Sequence, residues 1–127
     1  MIVLDASALI AQLDKTDAHH ERTRALLLDS SDQQLGASVI TLAEALVAPA
    51  RAGRLHEART VLRDLAVEPI ELRADAAASL ALLRAGTDLR MPDCCVLHAA
   101  AMTGAEMIAT FDVQLARAAR TRGLTTP

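Results

Sequence analysis

Four short runs suited to strands, Met1–Leu4, Leu35–Ser38, Val67–Ile70 and Met107–Ala109, are spaced along this chain with helical patterns between them. That alternation restricts the fold more than any other feature. A strand that returns through a helix pairs in parallel with its predecessor, and the helices then cover both faces of the sheet. The expected class is α/β: a three-layer α/β/α domain around a short parallel sheet of four strands, or five if residues 123–127 add one. Pro69 cannot donate to a ladder, so its strand suits an edge.

At 127 residues the chain is expected to form one domain, 1–127, with a core that needs no disulfide or structural metal. The core must come from Ala, Leu, Val, Ile and Met, because Phe111 is the sole aromatic residue. Helices are expected over Ala6–Leu13, from an Asp17 cap to about Leu28, and over Val39–Arg51, Leu55–Leu65 and Ala74–Ala85. Two more run over Asp93–Met102, behind Pro92, and from Asp112 to about Arg122. Cys94 and Cys95 are adjacent, too strained to bridge, and read as small reduced core residues. No signal-peptide pattern or membrane-length apolar stretch is visible, so a cytoplasmic protein without a membrane association is expected.

Four acids stand where such a fold gathers side chains. Asp5 ends the first run, Asp112 closely follows the last, Asp93 opens a helix after Pro92, and Glu44 interrupts the apolar helix Val39–Leu46. Each has an ordinary explanation alone: Asp5, Asp93 and Asp112 suit helix starts, and Glu44 could pair with an arginine. Together they say more. Parallel strands bring their carboxyl ends to one edge, and carboxylates converging there cannot all stay ionised without cations. Hard oxygen ligands in that number point to a divalent-metal site.

The stretches around these acids resemble a known family. Asp5-Ala6-Ser7-Ala8-Leu9-Ile10 after a strand is similar to the opening motif of PIN-domain nucleases. Ser38-Val39-Ile40-Thr41-Leu42-Ala43-Glu44 resembles their second motif, Met91-Pro92-Asp93 the third, and Ala109-Thr110-Phe111-Asp112 the fourth. Their order, spacing and the total length resemble the VapC toxins of type II toxin–antitoxin pairs. The resemblance implies a Mg²⁺- or Mn²⁺-dependent endoribonuclease. It implies Asp5, Glu44, Asp93 and Asp112 as metal-binding acids, with Ser7 and Thr110 as polar residues lining the same site. It further implies an antitoxin partner and a homodimer. Phe111 stands where the family often has a polar residue, and Cys94 and Cys95 where small aliphatic residues are commoner.

The net charge of −3 gives no global attraction to nucleic acid, but all basic residues except Lys15 are arginines, which suit bidentate phosphate contacts. Arg51, Arg54, Arg59 and Arg63, like Arg117, Arg120 and Arg122, fit solvated helix faces as well as a phosphate rim. His19 and His20 read as exposed helix residues and His98 as a packed one. With so few aromatics, base stacking on side chains is nearly unavailable, and RNA would be gripped by its phosphates and shape, which favours a structured target such as a tRNA or an rRNA loop over random single strands. Two rival readings differ in class. Aspartyl-phosphate enzymes require a second Asp where Ser7 stands, or paired acids and a late lysine. A non-catalytic PIN-like module would bind RNA or protein without turnover.

Overall fold

The computed structural model describes residues 1–127. The elements run β1 (Ile2–Leu4), α1 (Ala6–Leu13), α2 (His20–Asp29), β2 (Leu35–Ser38), α3 (Val39–Arg51), α4 (Leu55–Asp64), β3 (Val67–Ile70), α5 (Ala76–Ala85), α6 (Met91–Thr103), β4 (Met107–Ala109) and α7 (Val113–Thr121). The strands form one parallel sheet in the order β3-β2-β1-β4. Pro69 lies on the edge strand β3.

Side chains alternate across a strand, and the core divides accordingly. Val3 and Ile108 pack with α6 and α7 in one cluster, around Cys94, Leu97, Leu115 and Ala119. Ile2, Leu4, Leu35, Ala37 and Ala109 pack on the other face with α1, α3 and α4. Helices thus flank the sheet on both sides in three layers. Gly36 permits close packing across β2: a Cβ there would lie 2.9 Å from Ile70 Cδ1 and 3.2 Å from Met1 Sδ. Cys94 and Cys95 are both free and buried.

Several boundaries differ from those expected. The Asp17 carboxylate accepts the His19 N–H at 2.8 Å, closing a turn, and α2 starts only at His20. An Asp side chain offers the backbone this turn as an alternative to a helix cap. Helix α6 begins at Met91, so Pro92 falls inside its first turn, where a missing N–H costs nothing. It ends at Gly104, whose φ of 63° is the left-handed conformation glycine favours. Helix α5 starts at Ala76 rather than Ala74. Residues 123–127 supply a single parallel bridge, Met107 to Thr125, instead of a fifth strand.

The chain builds outward from β1 through β2 to β3, then crosses back to place β4 on the other side of β1. The switch point lies between β1 and β4. In open parallel sheets, the crevice beyond the carboxyl ends at this point is where ligands bind.

Candidate active site

Asp5 leaves β1 at this switch point and caps α1. It is buried, at 4% exposure, yet carries a carboxylate, so its hydrogen bonds decide whether it can stay charged. Ala8 N–H donates to Oδ1 at 2.9 Å and Ser7 Oγ donates to the same oxygen at 2.7 Å. Thr110 Oγ1 donates to Oδ2 at 2.5 Å. The two hydroxyls also accept: Phe111 N–H donates to Ser7 Oγ and Asp112 N–H to Thr110 Oγ1, each at 3.0 Å. Ser7 and Thr110 therefore clasp the exit of β1 to the exit of β4, and Asp5 is the acceptor on which both end.

Asp112 caps α7, its Oδ1 accepting Leu115 N–H at 2.8 Å while the residue stays exposed. Asp93 stands in the first turn of α6 and Glu44 midway along α3; both are half-buried. These placements bring Asp5 within electrostatic reach of Asp112, Asp93 of both, and Glu44 of Asp93 and Asp5. Burial raises the Asp5 carboxyl above its ordinary range against the pull of its three hydrogen bonds, and Asp112 adds to the rise. Burial also lifts Asp93, followed by repulsion from Asp112, with a smaller push from Asp5. Glu44 is raised by burial first, then by Asp93 and Asp5.

Arg90, at the N-cap of α6, is the nearby cation; it lowers Glu44 and Asp93 without outweighing their burial. It is the residue of this site that the sequence reading missed, and its position three residues before Asp93 was the available signal. None of the four acids forms an ion pair: the salt bridges of the chain, such as Arg54–Glu57 at 2.8 Å, are exposed and lie elsewhere. Direct pairing with arginine therefore does not account for Glu44. As the side chains stand, no three acidic, histidine or cysteine groups are close enough to grip one ion. The donor set is nevertheless all carboxylate oxygen, the chemistry a hard divalent cation such as Mg²⁺ or Mn²⁺ prefers, and a cation would relieve the repulsion that lifts Asp5, Asp93 and Glu44.

The remaining polar candidates separate. His98 is buried in α6. His20 leaves solvent to bond the Ala11 carbonyl through Nδ1 at 2.7 Å. His19 stays exposed but stacks flat on Phe111, with ring centroids 4.1 Å apart and planes 5° apart. Arg22 also lies over the Phe111 ring, 5.4 Å from its centroid.

The model of the PIN domain matches residues 2–121. The chain belongs to the PIN domain family. Solved structures similar to this PIN domain include VapC20 of Mycobacterium tuberculosis, described as a sarcin-ricin loop cleaving toxin. It is 18% identical, with a TM-score of 0.76 over 93% of this chain and 95% of that one. A toxin–antitoxin complex from Klebsiella pneumoniae contains a chain 23% identical, with a TM-score of 0.78 over 100% of this chain and 98% of that one. VapBC2 of Rickettsia felis, bound to a DNA fragment from its promoter, contains one 17% identical, with a TM-score of 0.68 over 100% and 98%. At these identities the likeness establishes the shared fold. No curated protein matches the chain in sequence.

Proposed function

We propose that residues 1–127 form one PIN-type nuclease unit, a Mg²⁺- or Mn²⁺-dependent endoribonuclease that acts as the toxin of a type II toxin–antitoxin pair. The observation that carries this reading is a group of four carboxylates, three of them raised by burial and by neighbouring acids and none with an ion-pair partner, at the switch point of a PIN domain. Its substrate would be structured RNA, a tRNA or an rRNA, and its cleavage would inhibit translation in the cytoplasm. Similarity to VapC20, described as cutting the sarcin-ricin loop, favours an RNA of this kind. No helix is long and apolar enough to cross a membrane.

Asp5, Asp93, Asp112 and Glu44 would hold the metal, with Asp5 and Asp93 as the primary ligands and Glu44 free to orient water. When bound, the ion supplies positive charge against the phosphate and makes an attacking water more acidic. Ser7 and Thr110 aim Asp5 and favour its ionised form against the burial that raises it, since both hydroxyl protons are committed to its oxygens. Arg90 stands where it can meet a phosphate oxygen at the mouth of the site.

Two partners follow from the same reading. An antitoxin would block the acidic cleft; toxin–antitoxin complexes among the similar structures support it. A homodimer would cover Ile40 and Val47, exposed apolar residues two turns apart on one face of α3. Light scattering over a concentration series tests the dimer, and a constant monomeric mass refutes it.

The deciding experiment incubates total tRNA and rRNA with the purified protein in Mg²⁺, Mn²⁺ or EDTA, beside an Asp5→Asn variant. Discrete fragments that require both metal and Asp5 establish the nuclease. A folded, metal-binding protein that leaves every RNA intact supports a non-catalytic PIN-like module instead.

A further inference from the structure

Beside the acids, a cavity of about 180 Å³ is lined by His19, Arg22, Phe111, Val113 and Arg120, and it reaches the cluster through Thr110 and Asp112. Three features distinguish it. The only aromatic side chain of the protein is here, half-buried and stacked under the exposed His19 ring. Two exposed guanidinium groups, Arg22 and Arg120, line it, and neither has a carboxylate partner, although four other arginines are paired. Val113, in the first turn of α7, is 73% exposed in its wall and presents apolar surface to solvent beside Asp112.

None of these serves the hydrogen-bonded clasp around Asp5. A flat ring stack, an apolar wall and two unpaired cations are instead the components that hold a nucleotide: planar side chains take the face of a base, and arginines take the phosphate. We infer that this cavity is a nucleotide subsite, holding one unpaired nucleotide of the RNA next to the phosphate that is cut. The base lies against the His19–Phe111 stack and Val113, and its flanking phosphate lies between Arg22 and Arg120. The choice of RNA as the ligand rests on the nuclease reading above; the site itself rests on the stack, the cations and their junction with Asp112. Base stacking is thus available here after all, at one place and next to the chemistry.

The test uses the full chain and a fluorescein-labelled 12-nucleotide single-stranded RNA containing 2-aminopurine, in Ca²⁺ to hold cleavage back. Wild-type protein is expected to bind it and quench the 2-aminopurine. Phe111→Leu should weaken binding about tenfold and abolish the quench, as loss of one stacked base predicts. His19→Ala, at an exposed position, gives the same readout if Phe111→Leu fails to fold. Arg22→Ala with Arg120→Ala should flatten the salt dependence of binding by about one phosphate's worth. Arg117→Ala, on the same helix but outside the cavity, should bind as wild type does. Unchanged affinity and quench in Phe111→Leu and His19→Ala overturn the subsite whatever the cleavage result. A deca-glutamate peptide that loses affinity in the arginine double variant, while RNA binding holds, assigns the cavity to an acidic protein segment and also overturns it. Cleavage in Mg²⁺ is read separately: intact quenching without cleavage sinks the nuclease reading and leaves the subsite standing.

Discussion

The two edges of the sheet offer opposite kinds of site. The amino edge holds the larger hollow, about 530 Å³, between Gln12, Ser30, Gln34, Leu35, Leu65 and Glu68. The carboxyl edge holds a smaller hollow, but it gathers four acids, three of which burial and then neighbouring carboxylates raise above their ordinary range, with one arginine nearby. Space at the amino edge is what turns leave when they cross the starts of short strands, and a run of its polar groups, Ser30 to Gln34, sits on one loop beside Gln12 and Glu68. At the carboxyl edge the groups come from four separate elements, and holding their charges together costs stability. A fold keeps such a cost where function requires it. Volume and charge thus point to opposite edges, and the proposed function rests on charge.

Breaking the contrast is the most demanding test. Asp5→Asn should lower metal-dependent RNA cleavage by roughly 100-fold or more, since losing a ligand to the reacting centre removes several kcal/mol. Gln12→Ala at the amino edge should leave the cleavage rate within about twofold of wild type. Equal losses in a gel-based cleavage assay would erase the distinction between the edges.

Metal binding sharpens it next. Mg²⁺ or Mn²⁺ at about 100 times its Kd should stabilise the wild type by about 2.7 kcal/mol, read as a higher Tm. The gain should vanish in Asp93→Asn and persist in Gln12→Ala.

A third test is the pH dependence of the metal-free protein. Burial and neighbouring charges hold Asp5, Glu44 and Asp93 above their unfolded values, so the native state keeps protons the unfolded chain has released. Their contribution to stability is most favourable below about pH 4 and declines as pH rises through the raised values. Urea melts across this range should show Asp93→Asn more stable than wild type near neutrality, with the two converging in acid. A wild type that gains from these groups as pH rises would contradict the repulsion described here.

The smallest effect belongs to the amino edge. Ala66, in its wall, has a φ of 53°, a left-handed conformation that costs a residue with a Cβ about 1–2 kcal/mol. Glycine removes that strain but gives back part of it as chain entropy. Ala66→Gly should therefore stabilise the protein by about 0.5 kcal/mol in chemical denaturation without altering cleavage.

Much of the carboxyl edge was legible in the sequence because periodicity and helix starts report strand ends. All four strands fall where their residue runs predict, and Asp5 and Asp112 cap the helices that follow them. What the sequence could not convey is distance across the fold. Nothing local to Phe111 announces that His19 will lie flat on it, because the two residues stand far apart in sequence and meet only in the folded chain. Arg90 was passed over for a related reason: its field on Glu44 depends on where α3 lies beside α6. Asp17 misled because one side chain can close a turn or cap a helix, and the neighbouring backbone decides which.

The clasp at Asp5 also sets an order of events. Its hydroxyl from Thr110 lies 105 positions further along the chain, so a ribosome makes it long after Asp5. Synthesis proceeds from the amino terminus at about 5–20 residues per second. A nascent chain ending before Ala109 has β1 without its outer neighbour β4, and it has neither Thr110 nor Asp112. Long-range pairings of this kind close late in folding. The proposed nuclease would thus lack its assembled carboxylate site until Thr110 and Asp112 had been synthesised.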